Sequence, residues 1–246
     1  MRIVLVVPAY NSMKYIEQCM ESVLNQSYDD YYVHAYDNES TDGTYEYLLE
    51  LEKQHDHLKV DQLPNVHPNS YREAFDAGFQ NTEADCLTFV STDDYLDPDY
   101  VTKCMRIMSH DPDRIKCMQS GIVGIQNGMQ VNKQIHLYKS MSEFKTQCMT
   151  RSPVNTPTVV YSTSIYPLIQ EAREAHADAE LMDVGVGDYD MWCGLAEQGI
   201  FIYPVNSCLG YYYRWHSEQC TWQVHQYSTN YDEIVRSYWK KKWNLK

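Results

Sequence analysis

No stretch of this 246-residue chain stays apolar long enough to suggest a membrane span, which takes about 20 consecutive residues. No transmembrane segment is therefore expected. The first strand pattern begins at Arg2, so no signal peptide is expected. The eight cysteines form no CxxC pair and no repeated spacing. That argues against zinc and against a disulfide framework, and reads as reduced thiols in a cytoplasmic protein. Lysine and arginine number 20 against 34 aspartates and glutamates, giving a net charge of −14. No basic run is long enough to track a phosphate backbone, so nucleic acid is not expected as a partner. Gly-x-Gly-x-x-Gly does not follow the first strand, which excludes a dinucleotide-binding Rossmann site. The Gly-rich basic loop that a nucleotidyltransferase would carry there is missing too. There is no Gly/Ser linker, internal repeat or low-complexity tract.

What is present fits one globular domain, with 43% hydrophobic and 22% charged residues. Ile16, Cys19, Met20, Val23 and Leu24 recur at helical spacing and predict a helix over 12–26. Strands over 32–36, 58–63 and 86–90 alternate with helices over 43–54 and 70–81. This alternation predicts an α/β fold with a mixed, mainly parallel central sheet flanked by helices. Asp97-Pro98 reads as an N-cap followed by proline at the first helical position. Asn127-Gly128 reads as the type I′ turn of a hairpin running from Met118 to Leu137. Further strands are expected over 158–161, 200–205 and 209–213, with helices over 162–172 and 189–198. Lys240-Lys241-Lys242, between Trp239 and Trp243, reads as a solvated helix end or as a membrane-surface contact.

The chemistry is concentrated where Cys86-Leu87-Thr88-Phe89-Val90 runs into Ser91-Thr92-Asp93-Asp94. A buried strand that ends in adjacent acids delivers carboxylates to a sheet edge. Hard carboxylate oxygens suit Mg2+ or Mn2+, and such a cation suits a diphosphate. In a chain this acidic, a doubly anionic ligand needs a cation beside it. Three distant segments complete the pattern: Pro8-Ala9-Tyr10-Asn11 at the end of the first strand, Asp37-Asn38-Glu39-Ser40-Thr41-Asp42-Gly43-Thr44 after the second, and Gly187-Asp188-Tyr189-Asp190-Met191-Trp192 followed by Tyr213-Arg214-Trp215-His216.

In this order the set resembles the family 2 glycosyltransferases, inverting enzymes of the GT-A fold, from about Ile3 to about His216. The resemblance implies a metal-dependent transfer of sugar from a nucleoside-diphosphate sugar, with UDP the expected nucleotide, to a carbohydrate or other hydroxyl acceptor. It places Pro8, Ala9, Tyr10 and Asn11 along the nucleotide and makes Asp37 the acceptor of a base N–H. Asp93 takes the position of the last acid of Asp-x-Asp and is the implied metal ligand, with His216 a further one. Imidazole suits Mn2+ better than Mg2+. Ser91 stands where the family has the first acid and is left to bond a ribose; Thr92 and Arg214 join the donor-binding set. Ala74-Phe75-Asp76-Ala77-Gly78 resembles the family's Ala-Arg-Asn-x-Gly, so Asp76 is a base or ribose contact, and Arg72 is expected to replace the cation that Phe75 has displaced. His67-Pro68-Asn69 belongs to the same segment. Asp188 is the implied catalytic base, although its usual preceding glutamate is Gly187, and the loop from about Arg173 to Gly187 is expected to help form the acceptor site.

Residues 1–97 would form the nucleotide-sugar half, 98–230 the acceptor half and 231–246 a C-terminal helix or tail. Structural readings stand beside these. Ser40, Asp42 and Thr44 are natural caps, Asp76 a solvated helix acid, and Asp188 a helix N-cap. A catalytically silent sugar-nucleotide or carbohydrate-binding protein is the rival function.

Overall fold

The computed structural model describes residues 1–65, 70–174, 187–219 and 230–245. His67-Pro68-Asn69 and most of the 173–187 loop lie outside them. The strands are β1 (Ile3–Ala9), β2 (Tyr31–Asp37), β3 (Leu58–Gln62), β4 (Cys86–Phe89), β5 (Tyr95–Leu96), β6 (Cys117–Ser120), β7 (Ile122–Gln126), β8 (Met129–Gln134), β9 (Val160–Ser162), β10 (Ile202–Val205) and β11 (Tyr211–Arg214). The helices are α1 (Ile16–Leu24), α2 (Thr44–Glu52), α3 (Ser70–Gln80), α4 (Tyr100–Met108), α5 (Met141–Cys148), α6 (Tyr166–Glu174), α7 (Gly187–Glu197) and α8 (Tyr231–Lys242).

The seven-stranded sheet has the order β10-β6-β9-β4-β1-β2-β3. Only β9 runs antiparallel to its neighbours β4 and β6. Its continuous apolar strands follow from burial on both faces. Along β1, Val4 and Val6 enter one core with Phe75, Phe89 and Trp192. Ile3, Leu5 and Val7 enter the opposite core with Ile16, Met20 and Met105. Each side of the sheet thus has its own hydrophobic layer, and the carboxyl ends of β1, β2 and β4 open together at one edge. Ala9 is in register with Asp37, and Val6 with Phe89.

Two expectations are corrected. The helix after Asp97-Pro98 begins at Tyr100, with Asp99 before it. Asp97 is held back because its N–H donates to Gly210 O (2.8 Å) and its carbonyl accepts from Gln26 Nε2 (2.9 Å). The expected hairpin from 118 to 137 is divided. Cys117–Ser120 belongs to the large sheet, whereas β7 and β8 belong to a separate four-stranded sheet, β5-β11-β7-β8. The ladder breaks because the N–H of Ser120 donates to Thr158 Oγ1 and its carbonyl accepts from Asn155 Nδ2. The turn itself is as expected, with φ of 51° at Asn127 and 75° at Gly128.

Among the described residues no helix is long and apolar enough to cross a membrane. Trp239 is fully buried and donates to Asp190 Oδ1 (2.5 Å), and Trp243 donates to Glu197 (2.7 Å). These two tryptophans anchor α8 on α7, so the tail does not present them to a membrane surface. The seven described cysteines are free and buried.

Candidate active site

The edge at the carboxyl ends of β1 and β2 is built by stitching the segment after β1 to the segment after β2. The Asn11 N–H donates to Ser40 Oγ (2.9 Å), and Asn11 Oδ1 accepts from the Thr41 N–H (2.8 Å). Ser12 N–H donates to Thr44 Oγ1 (2.8 Å), and Met13 N–H to Asp42 Oδ2 (3.0 Å). Ser40, Asp42 and Thr44 therefore act as structural linkers, and Asn11, held at φ 46°, shares that work. Tyr10 projects from this frame and is 48% exposed.

Asp37, at the end of β2, is fully buried. Its Oδ2 accepts from the Ser40 N–H (3.0 Å) and from Gln62 Nε2 (3.1 Å). Its Oδ1 is buried with no hydrogen-bond partner. A buried acceptor left unpaired costs about 1–3 kcal/mol, so this oxygen is a natural seat for a ligand N–H.

Asp76 accepts from Arg173 Nη1 at 2.7 Å, and the Arg173 guanidinium lies 4.5 Å over the Phe75 ring. Arg72 stands 3.9 Å from the same carboxylate. The expected cation, Arg72, therefore pairs with Asp76, and Arg173 of α6, which sequence reasoning did not assign, makes the closer contact. Nothing local to α3 in the sequence signals a partner 97 residues away.

The two acids after β4 point in different directions. Asp94 is fully buried; its Oδ2 accepts from the Tyr211 hydroxyl (2.9 Å) and its Oδ1 from the Arg214 N–H (2.8 Å). Burial and then the charge of Asp93 push its carboxyl well above the ordinary carboxylate value. Asp93 faces outward. Its Oδ1 accepts from Ser91 Oγ (2.5 Å) and its Oδ2 lies 2.9 Å from His216 Nε2. Arg214 braces this turn, with Nε donating to Asp93 O (2.7 Å), Nη2 to Gln18 (2.8 Å), and its guanidinium 4.6 Å over Tyr15. Thr92 is tied back to Ser12 through their hydroxyls (2.8 Å).

The structure thus brings Asp93, Ser91 and His216 together, although 123 residues separate Asp93 from His216. Two neighbouring ligands of a six-coordinate ion with bonds of about 2.1 Å lie about 3.0 Å apart. The Asp93 oxygen and the His216 nitrogen have that spacing, which is equally that of their hydrogen bond, and among the described residues no third His, Cys, Asp or Glu joins them to make a metal-holding group.

Asp188 is in the first turn of α7. Thr156 Oγ1 donates to its Oδ2 (2.6 Å), and the Tyr189 N–H donates to its Oδ1 (2.7 Å). Burial raises its pKa above the ordinary carboxylate value, while the Thr156 hydroxyl pulls in the other direction. Thr156 is itself fixed by the N–H of the buried Trp192 (3.2 Å). The neighbouring acid Asp190 is buried against α8 instead.

Asp188 and Ser91 line one cavity of about 380 Å³. Its walls come from the ends of β4, the β7–β8 hairpin, residues 154–157 and β11 with Trp215. Thr156, Asn132 and Trp215 are lining residues that sequence reasoning did not assign. Only the position of Trp215 beside His216 offered a signal.

The mixed sheet, with Asp93 at the end of β4, has the architecture of GT-A-type glycosyltransferases. The chain belongs to glycosyl transferase family 2, whose model matches residues 4–168. It is 24% identical over 223 residues to the Methanococcus voltae dolichyl N-acetyl-alpha-D-glucosaminyl phosphate 3-beta-D-2,3-diacetamido-2,3-dideoxy-beta-D-glucuronosyltransferase, covering 85% of this chain and 66% of that protein. Among solved structures it is similar to S. aureus TarS 1-349 in complex with UDP-GlcNAc, with TM-score 0.64, 19% identity, and 93% of this chain and 62% of that one covered. It is also similar to the mannosyltransferase PcManGT from Pyrobaculum calidifontis in complex with GDP-Man and Mn2+, with TM-score 0.58, 14% identity, and 85% and 56% covered. The chain spans less than two thirds of the length of each.

Proposed function

We propose that the chain transfers a sugar from a UDP-sugar to a hydroxyl acceptor with inversion at the anomeric carbon. Asp188 is the general base; Asp93 and His216 hold a divalent cation, Mn2+ in preference to Mg2+. The observation that carries this reading is the shared cavity, with Ser91, bonded to Asp93, on one wall and Asp188 on the other.

Pro8, Ala9, Tyr10, Asn11, Asp37, Ser91, Thr92 and Arg214 are assigned to the donor. The unpaired Asp37 oxygen accepts the N–H of the base, which favours a uracil, and Asp76 acts through Arg173. Residues 1–97 serve the donor and 98–230 the acceptor, apart from Arg214 and His216, which reach back to the donor side. Bound at Asp93 and His216, the cation supplies Lewis-acid stabilisation of the departing diphosphate. Asp188 takes the proton of the acceptor hydroxyl as its oxygen bonds to the anomeric carbon. The bond from that carbon to the diphosphate breaks, and its electron pair leaves with the diphosphate. Direct displacement needs one base and no enzyme nucleophile, so the change of the usual glutamate to Gly187 removes no required group. Burial suits Asp188 to the task, because a carboxylate with a raised pKa is a stronger base. The free, buried thiols support a cytoplasmic setting.

The test is transfer and donor hydrolysis by the purified chain with UDP-sugars, in Mn2+ and in excess EDTA. The expected result is UDP-sugar turnover that EDTA abolishes. Metal-independent turnover would remove the cation from Asp93 and His216. UDP-sugar binding without turnover under any condition would favour the silent binding protein.

A further inference from the structure

Among the described residues, none that lines the cavity joining Ser91 to Asp188 is a lysine or arginine. The described lining is amide, hydroxyl, aromatic and aliphatic, and Asp188 is the only charged group among those described residues. Arg214 is committed to the Asp93 turn and to Tyr15, and Arg173 to Asp76 and Phe75; Lys133 and Arg151, which neighbour the lining residues Asn132 and Asn155, are exposed and do not line the cavity. Segments 66–69, 175–186 and 220–229 contain no lysine or arginine at all, so they have none to contribute. An anionic sugar here would meet Asp188 and a chain of net charge −14, with no lysine or arginine on the described lining to pair with it and with the proposed divalent cation taken up by the diphosphate. An unpaired buried charge is among the costliest groups to desolvate.

One wall of the cavity is held flat by a close approach. In β7, Gly124 is in register with Asn132 of β8 and Tyr213 of β11. A Cβ at Gly124 would lie 2.0 Å from Asn132 Oδ1 and 2.6 Å from Trp215 Nε1. Asn132 and Trp215 therefore occupy the space that any side chain at 124 would take, and both line the cavity. Asn132 Oδ1 and the Asn132 and Gln134 amide groups give this rim neutral donors and acceptors suited to sugar hydroxyls or an acetamido group.

We propose that this cavity is a sugar subsite selective for uncharged hexopyranosyl groups, that it rejects uronic acids, and that Gly124 sets its width by seating Asn132 and Trp215. The proposal rests on the UDP-sugar reading above and extends it to the chemistry of the sugar. The Methanococcus relative, by contrast, is named for transfer of a diacetamido-glucuronosyl group.

The experiment is calorimetry of the full chain in Mn2+ with UDP, UDP-glucose, UDP-GlcNAc and UDP-glucuronic acid. UDP-glucose and UDP-glucuronic acid differ only at C6. The expected result is that UDP binds, that at least one neutral donor binds, and that UDP-glucuronic acid binds at least tenfold more weakly than UDP-glucose. Asn132→Lys, on an exposed strand where a lysine is easily accommodated, should narrow that gap several-fold by supplying the missing cation. Gly124→Ala should leave UDP affinity within about twofold while weakening the neutral donor, because Asn132 and Trp215 are pushed into the cavity. Equal affinity for glucose and glucuronate donors would overturn the proposal. So would UDP binding accompanied by uniform indifference to the sugar in the parent and in Gly124→Ala. Failure to bind UDP itself would instead overturn the underlying donor reading.

Discussion

The two rims of the cleft are built on opposite principles. On the nucleotide rim, polar side chains are turned on the backbone: Asn11, Ser40, Asp42 and Thr44 tie two strand ends together and leave one buried acceptor, Asp37 Oδ1, unpaired. On the sugar rim the polar groups face a cavity, and Asp188 keeps its hydrogen-bond partners while lining it. The first rim is a rigid frame with a single defined point of contact. The second is, among the described residues, a neutral surface around the carboxylate of Asp188, the proposed base. The difference teaches that nucleotide recognition and sugar recognition should respond to separate mutations.

The largest separation is expected at Asp37. In Asp37→Asn the side chain can still accept from the Ser40 N–H. Its amide nitrogen, however, is either placed toward the ligand or turned against Gln62. A hydrogen bond to a charged group contributes about 1.5–3 kcal/mol, so UDP affinity should fall roughly 10- to 100-fold. Calorimetry with UDP against an inorganic diphosphate checks this, because the diphosphate should be unaffected.

Within the acid pair itself, Asp94 should behave as part of the fold. Asp94→Ala strands the Tyr211 hydroxyl and the Arg214 N–H, each at a cost of about 1–3 kcal/mol, and denaturant unfolding should register the loss. Asp94→Asn retains an acceptor for the Arg214 N–H and should cost much less. If Asp93→Ala proved as destabilising as Asp94→Ala, the division of labour between the two acids would fail.

A smaller effect is expected at Thr156. Its hydroxyl donates to Asp188 Oδ2 and favours the ionised carboxylate. The base works only when ionised, so activity is lost as pH falls through its pKa. That acid limb should lie above the ordinary carboxylate range, since burial raises the pKa. Thr156→Val removes a stabilising donor and should move the limb to higher pH. A limb that moved down, or did not move while kcat fell, would detach Thr156 from the base.

How far the sequence carried these conclusions depended on the range of each interaction. β1, β2, α3 and β4 follow from local periodicity, and their observed limits differ by a residue or so from those expected. Asp93, His216, Asp37 and Asp188 were singled out by resemblance, and the structure sets Asp93 against His216. What escaped was decided across the chain. Arg173 meets Asp76 from another helix, Thr156 reaches Asp188 from a segment 32 residues earlier, and Gly124 acquires its meaning only where Asn132 and Trp215 pass over it. The division of the 118–137 hairpin between two sheets came from side chains of residues 155 and 158 closing the ladder at Ser120, which strand periodicity cannot encode.

The division between the rims is tested most directly by measuring Asp93→Ala and Asp188→Asn side by side, each for UDP-sugar affinity in Mn2+ and for transfer rate to a competent acceptor. Asp93→Ala should lose metal-dependent donor binding together with transfer. Asp188→Asn should bind the donor nearly as well as the parent and transfer about 10²–10⁴-fold more slowly, the usual contribution of a general base. Donor affinity lost in Asp188→Asn, or transfer retained within a few-fold of the parent, would contradict the assignment of Asp188 as the base.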